Sequence, residues 1–318
     1  MVPLIIFLKY CILNIKGGTL MYMITVRPKA GELTALSFIP NDYRDRLIPN
    51  FIISAKEDID KIIQKYPYPL WFDIRNLNLS ELPFIEQLIQ KDNKYAHAKI
   101  VYPLSYILQY SVDPKHCVRF TPQDLSNDYS WLENHRNHLP NTILIDFGYI
   151  SGIPDQGIKD NVTKLINLLG NRNIILSSGS IPEKLKVSRT TDFIQPRYEK
   201  QFYQQLSKQS PTPIIYGDYG TISPIPTITT GKIIIPTVQL KYTRDDSYLF
   251  VRNGKRKEGY DIYSVAEKIV RLHDFNESHC MGEKGIKEIS LKLRIGNAAT
   301  WISLGMNHHI MLCIEENL

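Results

Sequence analysis

From Met23 onward the chain alternates short apolar runs with amphipathic or polar stretches. The runs are 23–28 (MITVRP), 50–54 (NFIIS), 70–75 (LWFDIR), 98–105 (AKIVYPLS), 116–121 (HCVRFT), 142–148 (TILIDFG), 173–180 (NIILSSGS) and 213–220 (PIIYGDYG). Each has a near-continuous apolar core rich in β-branched or aromatic residues, the pattern of strands buried on both faces. Between them lie helical patterns. The segment 55–66 places Ile59, Ile62 and Ile63 on one stripe, and 83–90 and 160–169 repeat the theme, with Pro83 suited to a first turn. Eight such periods, spaced for right-handed crossovers, predict an α/β chain folded as a (β/α)8 TIM-barrel-like unit over 21–220. An open doubly wound sheet is the competing architecture, but the chain has neither GxGxxG nor GxxxxGK[ST]. The connection between the fourth and fifth runs is too short for a long helix.

After Gly220 the pattern changes. A proline-rich link, 222–236, leads into 238–260, where Asp245-Asp246 and Asn253-Gly254 are both turn signals. This predicts a small antiparallel meander. A helix follows over 261–273, with Ile262, Val265, Ala266, Ile269 and Val270 on one face. The segment 285–318 mixes helical pattern with a strand-like run. Residues 221–318 are thus expected as a C-terminal meander and helices packed on the barrel.

Residues 1–20 are apolar but lack a basic n-region and a small-residue cleavage site, which argues against a signal peptide. Lys16-Gly17-Gly18 can be encoded by a purine-rich ribosome-binding sequence at ordinary spacing before Met21. The expectation is a mis-called upstream extension, with translation beginning at Met21 in a bacterial or phage gene.

Composition changes this picture little. The 318 residues are 43% hydrophobic and 22% charged, which excludes a disordered chain, and the formal net charge of +6 permits an anionic partner without requiring one. Cys11, Cys117, Cys280 and Cys313 are widely spaced with no CxxC, so a reducing cytoplasm is the expected location. No stretch is apolar for long enough to span a bilayer.

Barrel chemistry sits at the carboxyl ends of the strands. There the sequence offers Arg27, Lys29, Asp73, Arg75, Arg119, Asp146, Ser177, Ser178, Asp218 and Tyr219. Asp73, Asp146 and Asp218 each close an apolar run. Three carboxylates converging on one mouth could bind a divalent cation or divide acid and base roles, while the arginines and Lys29 suit a phosphate or carboxylate group. Structural service, as helix caps or ion pairs, is the plainer role for each. Ser178, before Gly179, is a phosphate-loop candidate through backbone N–H groups. The run Arg252-Asn253-Gly254-Lys255-Arg256-Lys257 is the densest positive charge. With Tyr242, Tyr248, Phe250 and Tyr260 interleaved, it could contact nucleic acid, although such a run more commonly marks a solvated turn. His273, His279, Cys280 and Cys313 fit no recognised zinc spacing, and neighbouring His308 and His309 would face opposite ways in a strand, so no zinc site is predicted. GxSxG, SxxK and HExxH are absent.

The C-terminal segment resembles the Beta-protein family. The resemblance lies in 260–263, Gly282-Glu283, and above all Thr300-Trp301 followed by Gly305-Met306-Asn307-His308-His309-Ile310. Arg27-Pro28-Lys29-Ala30-Gly31-Glu32 with Ala35-Leu36, Gly217-Asp218-Tyr219-Gly220 with Pro224, and Arg252-Asn253-Gly254-Lys255 agree with it. Ile302 stands where the family usually has a basic residue, so no charged role is expected there. The resemblance implies a phage-related or antiviral-defence setting and brings no activity with it. The leading expectation is a mouth that binds a phosphorylated or nucleotide-like ligand and could hydrolyse it, with Lys29, Asp73, Arg75, Arg119, Asp146, Asp218, Asn307 and His308 around it. The rival is a non-catalytic interaction module that recognises a phage component or a partner effector such as a nuclease. The two differ in whether Trp301 and its neighbours plug the mouth.

Overall fold

The structure is a computed structural model that describes residues 21–125, 129–226, 237–255 and 261–316. The proposed extension, 1–20, lies outside the described residues, as does Arg256. Eight strands close into a parallel barrel: β1 (Tyr22–Val26), β2 (Leu47–Ile52), β3 (Leu70–Asp73), β4 (Ala98–Pro103), β5 (Cys117–Phe120), β6 (Thr142–Tyr149), β7 (Asn173–Gly179) and β9 (Ile214–Asp218). These are the eight apolar runs. The (β/α)8 architecture expected from periodicity is the one observed.

The helices between strands are α1 (Ala30–Ser37) and α2 (Asn41–Arg44), α3 (Glu57–Lys65), α4 (Leu82–Lys91), α5 (Leu104–Ile107), α6 (Ser130–His135), α7 (Gln156–Leu169) and α8 (Tyr198–Gln209). The β4–β5 connection carries only the single turn α5, as its length requires. Amphipathicity places the helices: α3 buries Ile59, Ile62 and Ile63 and turns its acidic first turn to water. In α7, Asp155 caps the N-terminus by accepting from the Ile158 N–H, and Gly170 ends it at φ 67°.

The strand pleat sorts side chains into two sets. Met23, Ile48, Trp71, Val101, Cys117, Leu144, Ile175 and Ile215, one from each strand, form a buried apolar cluster inside the barrel. Their sequence neighbours, such as Ile24, Phe72, Ile143 and Ile174, face outward and join the larger core beneath the helices.

A second sheet has the order β10–β11–β8, from β10 (Thr237–Thr243), β11 (Ser247–Lys255) and β8 (Phe193–Pro196). Its turn is at Asp245-Asp246. Asn253-Gly254 is not a hairpin turn but part of β11. There Asn253 donates to the Asp261 carbonyl and Ser264 Oγ, and Gly254 takes φ 62° while its N–H donates to the Arg189 carbonyl. β8 was not expected: it comes from the β7–α8 connection and pairs antiparallel with β11. Fully buried Arg197, directly after it, donates to the carbonyls of Arg244 and Asp245 and to Glu316 Oε1 at 2.8 Å.

Helices α9 (Tyr263–Val270), α10 (Met281–Ser290) and α11 (Ala298–Glu315) complete the chain. The strand-like run expected near the C-terminus is helical. It reads as a strand because α11 is buried on almost every side, between α1 and β1 of the barrel and β10 of the sheet, and so has no polar stripe. Lying against α1 and β1, it takes the place of the helix that would follow the eighth barrel strand. Small residues allow the approach: a Cβ on Gly305 would stand 2.4 Å from the Lys241 carbonyl, and one on Gly282 would stand 2.3 Å from that of Leu304. Gly305→Ala is therefore expected to cost about 1–3 kcal/mol through overpacking. A lowered urea midpoint at unchanged m-value is the measurement that checks it.

Candidate functional site

Above the apolar cluster the inward positions turn polar. Asp73 and Asp146 lie two residues beyond inward-facing Trp71 and Leu144, so both carboxylates enter the mouth. Arg75 lies between them, its Nη2 at 2.5 Å from Asp73 Oδ2 and 2.7 Å from Asp146 Oδ2. Its Nη1 donates to Tyr219 Oη at 2.8 Å, and that hydroxyl reaches both oxygens of Asp146, at 2.9 and 2.7 Å. Burial and the neighbouring Asp146 push the Tyr219 phenol well above its ordinary value despite Arg75, so it stays protonated as a donor. Burial alone would raise the Asp73 carboxyl, but the Arg75 guanidinium, with Arg119 behind it, holds it below the usual carboxylate range.

Arg119 is placed differently. Its Nε and Nη1 stand 3.9 Å from Asp73 Oδ2 and Asp146 Oδ2, close enough to share charge but too far to hydrogen-bond. Deeper in the mouth, Asn50 donates to Thr25 Oγ1 at 3.2 Å. Asn50 Oδ1, Arg75 Nε and Ser177 Oγ are buried with no hydrogen-bond partner. Arg27 donates to the carbonyls of Ser223 and Pro224 at the rim, and Lys29 is exposed at the N-cap of α1.

The third carboxylate does not join the other two. Asp218 follows inward-facing Gly217 by one residue, so the pleat turns it out of the barrel, over the seam between β9 and β1. There four oxygen and nitrogen donors reach it, Tyr22 Oη (2.5 Å) and the Gly220 N–H (2.8 Å) on Oδ1, and Tyr216 Oη (2.8 Å) and His309 Nε2 (2.9 Å) on Oδ2, with the Cys313 thiol 3.9 Å from Oδ2. Burial opposes its ionisation, but His309 and the other donors outweigh that and hold the carboxyl below its ordinary value. His309 Nδ1 lies 3.1 Å from Thr243 Oγ1, so one imidazole ties the seam to β10. Tyr22 and Tyr216 escaped the sequence reading, and His309 was singled out there only as a metal candidate beside His308. Strand parity was the available signal, since it separates Asp218 from Asp73 and Asp146.

A family model described as Beta protein matches residues 108–314, from the connection before β5 into α11. The chain belongs to the Beta protein family. Neither a curated protein nor a solved structure matches it. The span matched to the Beta protein family holds Arg119, Asp146, Asp218 and Tyr219, whereas Arg27, Asp73 and Arg75 precede it.

Other residues singled out in the sequence lie away from the mouth. Ser178 is inside β7, opposite Asp218, and not in a turn. Asn307 bridges helices, donating to the Ala35 carbonyl and accepting from the Gly282 N–H. His308 lies under the second sheet, its Nε2 at 2.7 Å from the Thr243 carbonyl and its ring stacked on Tyr242. Arg252 is buried and donates to the carbonyls of Val187 and Ser188. Tyr242, Tyr248 and Phe250 are buried too and offer no face to a base; Lys255 is the final residue of β11.

Asp73→Asn should lower stability at neutral pH by about 3–5 kcal/mol, the cost of breaking a buried ion pair. The carboxyl titrates lower in the folded chain than unfolded. Its contribution is therefore complete above about pH 4 and lost as pH falls through the folded value. Urea midpoints across the acid range should fall more steeply for the wild type than for the variant. Parallel profiles would refute the assignment.

Proposed function

We propose that the barrel mouth recognises a small anionic ligand bearing a phosphate group, nucleotide-like in class, without hydrolysing it. The supporting observation is the Arg119 guanidinium. It makes no hydrogen bond among the described residues, and it shares the mouth with two further unmatched donors, Arg75 Nε and Ser177 Oγ. A guanidinium fork with open donors suits phosphate oxygens, and charge-assisted bonds of this kind are the strong ones. Trp301 does not plug the mouth: it belongs to the core beneath the second sheet and donates to the Ile295 carbonyl. Binding rather than hydrolysis follows from the carboxylates. Asp73 and Asp146 are both committed to Arg75, and Tyr219 occupies Asp146 further, so neither is a free base.

We infer a cytoplasmic ligand-binding protein in the phage-related or antiviral-defence setting that the family resemblance suggests. Among the described residues no helix is long and apolar enough to cross a membrane. Calorimetry with inorganic phosphate, AMP and ATP tests the proposal. At least one should bind, and Arg119→Gln should weaken it by roughly ten-fold or more, since such hydrogen bonds contribute about 1.5–3 kcal/mol. The unliganded variant should melt within a few degrees of the wild type, because Arg119 donates no bond to the fold. Absence of binding by all three anions, or equal affinity in the variant, would overturn it.

A further inference from the structure

His279, Cys280, Glu283 and His308 meet between the start of α10 and α11. Cys280 is the N-cap of α10, Glu283 lies in that helix's first turn, and His308 projects from α11. One donor atom from each lies within 4.8 Å of all the others. Glu283 Oε2 is the common point: His279 Nδ1 is 2.7 Å away, His308 Nδ1 3.6 Å and Cys280 Sγ 3.9 Å. We infer that these four side chains form a four-coordinate structural zinc site that staples α10 to α11.

The outward-facing atoms carry the argument. His308 Nε2 faces the Thr243 carbonyl at 2.7 Å, and a carbonyl only accepts, so Nε2 bears the proton. In the neutral ring that leaves a lone pair on Nδ1, which points into the cluster. That atom has no hydrogen-bond partner, and His308 is only 3% exposed. His279 repeats the arrangement: Nε2 faces the Glu315 carboxylate at 3.0 Å, and Nδ1 faces the cluster. Glu283 keeps Oε2 for the cluster while Oε1 accepts from Tyr242 Oη at 2.7 Å and the Asn276 N–H at 3.0 Å. Stacking on Tyr242 fixes the His308 ring. Metal-bound histidines are oriented by such carboxylate and carbonyl partners on their distal nitrogens.

Charge and geometry select the ion. Two neutral imidazoles, a thiolate and a carboxylate carry two negative charges, which a divalent cation cancels. Nitrogen and sulfur donors favour zinc over magnesium or calcium. At zinc–ligand distances of about 2.0–2.3 Å, tetrahedral ligands stand about 3.3–3.8 Å apart, so the widest pair closes by roughly 1 Å. Four protein ligands leave no position for a substrate, which makes the site structural. Among the described residues the other cluster of this kind, Asp218, His309 and Cys313, differs in the decisive respect: its carboxylate already has four oxygen and nitrogen donors, and none of its side-chain atoms is orphaned.

Chelator-stripped full-length protein titrated with cobalt(II) should develop the visible bands of a tetrahedral ion and a sulfur-to-cobalt charge-transfer band, and zinc should displace both. Cys280→Ser should lose the charge-transfer band, and Cys313→Ser should keep it. Glu315→Gln, at a half-exposed position that leaves the ligands in place, should weaken zinc binding by roughly 10–100-fold, as outer partners of metal-bound histidines do. Zinc should raise the melting temperature of the wild type and not that of Cys280→Ser. No uptake of either metal, a band that survives Cys280→Ser, or unchanged affinity in Glu315→Gln would each overturn the inference.

Discussion

The last strand of a closed barrel must pair with the first, and loop-closure entropy opposes that joint more than any between neighbouring strands. Here the joint converges on one carboxylate. Asp218 on β9 receives the hydroxyl of Tyr22 on β1, 196 residues away, and the imidazole of His309 on α11, 91 residues further on. An ionised carboxylate buried without partners would cost several kcal/mol. With four donors it becomes a node that holds only when strand, strand and helix are all in place. His309 passes the constraint on to the second sheet through Thr243. The barrel and its C-terminal elaboration are therefore joined at a charged centre as well as through apolar packing.

The mouth follows the same logic with opposite polarity. Inside the barrel one apolar cluster fills the lower part, and above it the polar layer is organised by a cation, Arg75, between two carboxylates. Arg119 adds a second positive charge that those carboxylates only partly engage. A layer balanced by its own ion pairs is rigid, and the donors it leaves unmatched are those a ligand can use. Separating Asp73 and Asp146 from Asp218 by pleat thus divides the labour: two carboxylates organise the mouth and one holds the seam.

The strands were legible because parallel barrel strands are buried on both faces, leaving an apolar run unbroken by polar alternation. β8 was not, since a four-residue edge strand with exposed Ile194 carries too little pattern. α11 misled for the converse reason: a helix buried all round has no periodicity to betray it. The carboxylates of the mouth could be found from strand ends alone, but placing Asp218 required counting parity from Ile215 through Gly217. Of the basic run, Arg252 was misjudged as a surface residue because it turns to carbonyls within the fold. The His279–Cys280–Glu283–His308 cluster was hidden by linear spacing, because its fourth member comes from another helix and Glu283 belongs to no familiar zinc pattern.

The distance from Asp218 to His309 also sets a clock. At roughly 5–20 residues per second, a ribosome takes about 5–18 s to make the 91 residues between them. Through that interval all eight barrel strands exist while the seam carboxylate lacks its imidazole and β1 lacks the helix that covers it. Over that interval the β1–β9 ladder can form with three of the four oxygen and nitrogen donors to Asp218 in place, so the joint is made first by backbone pairing and completed last by His309.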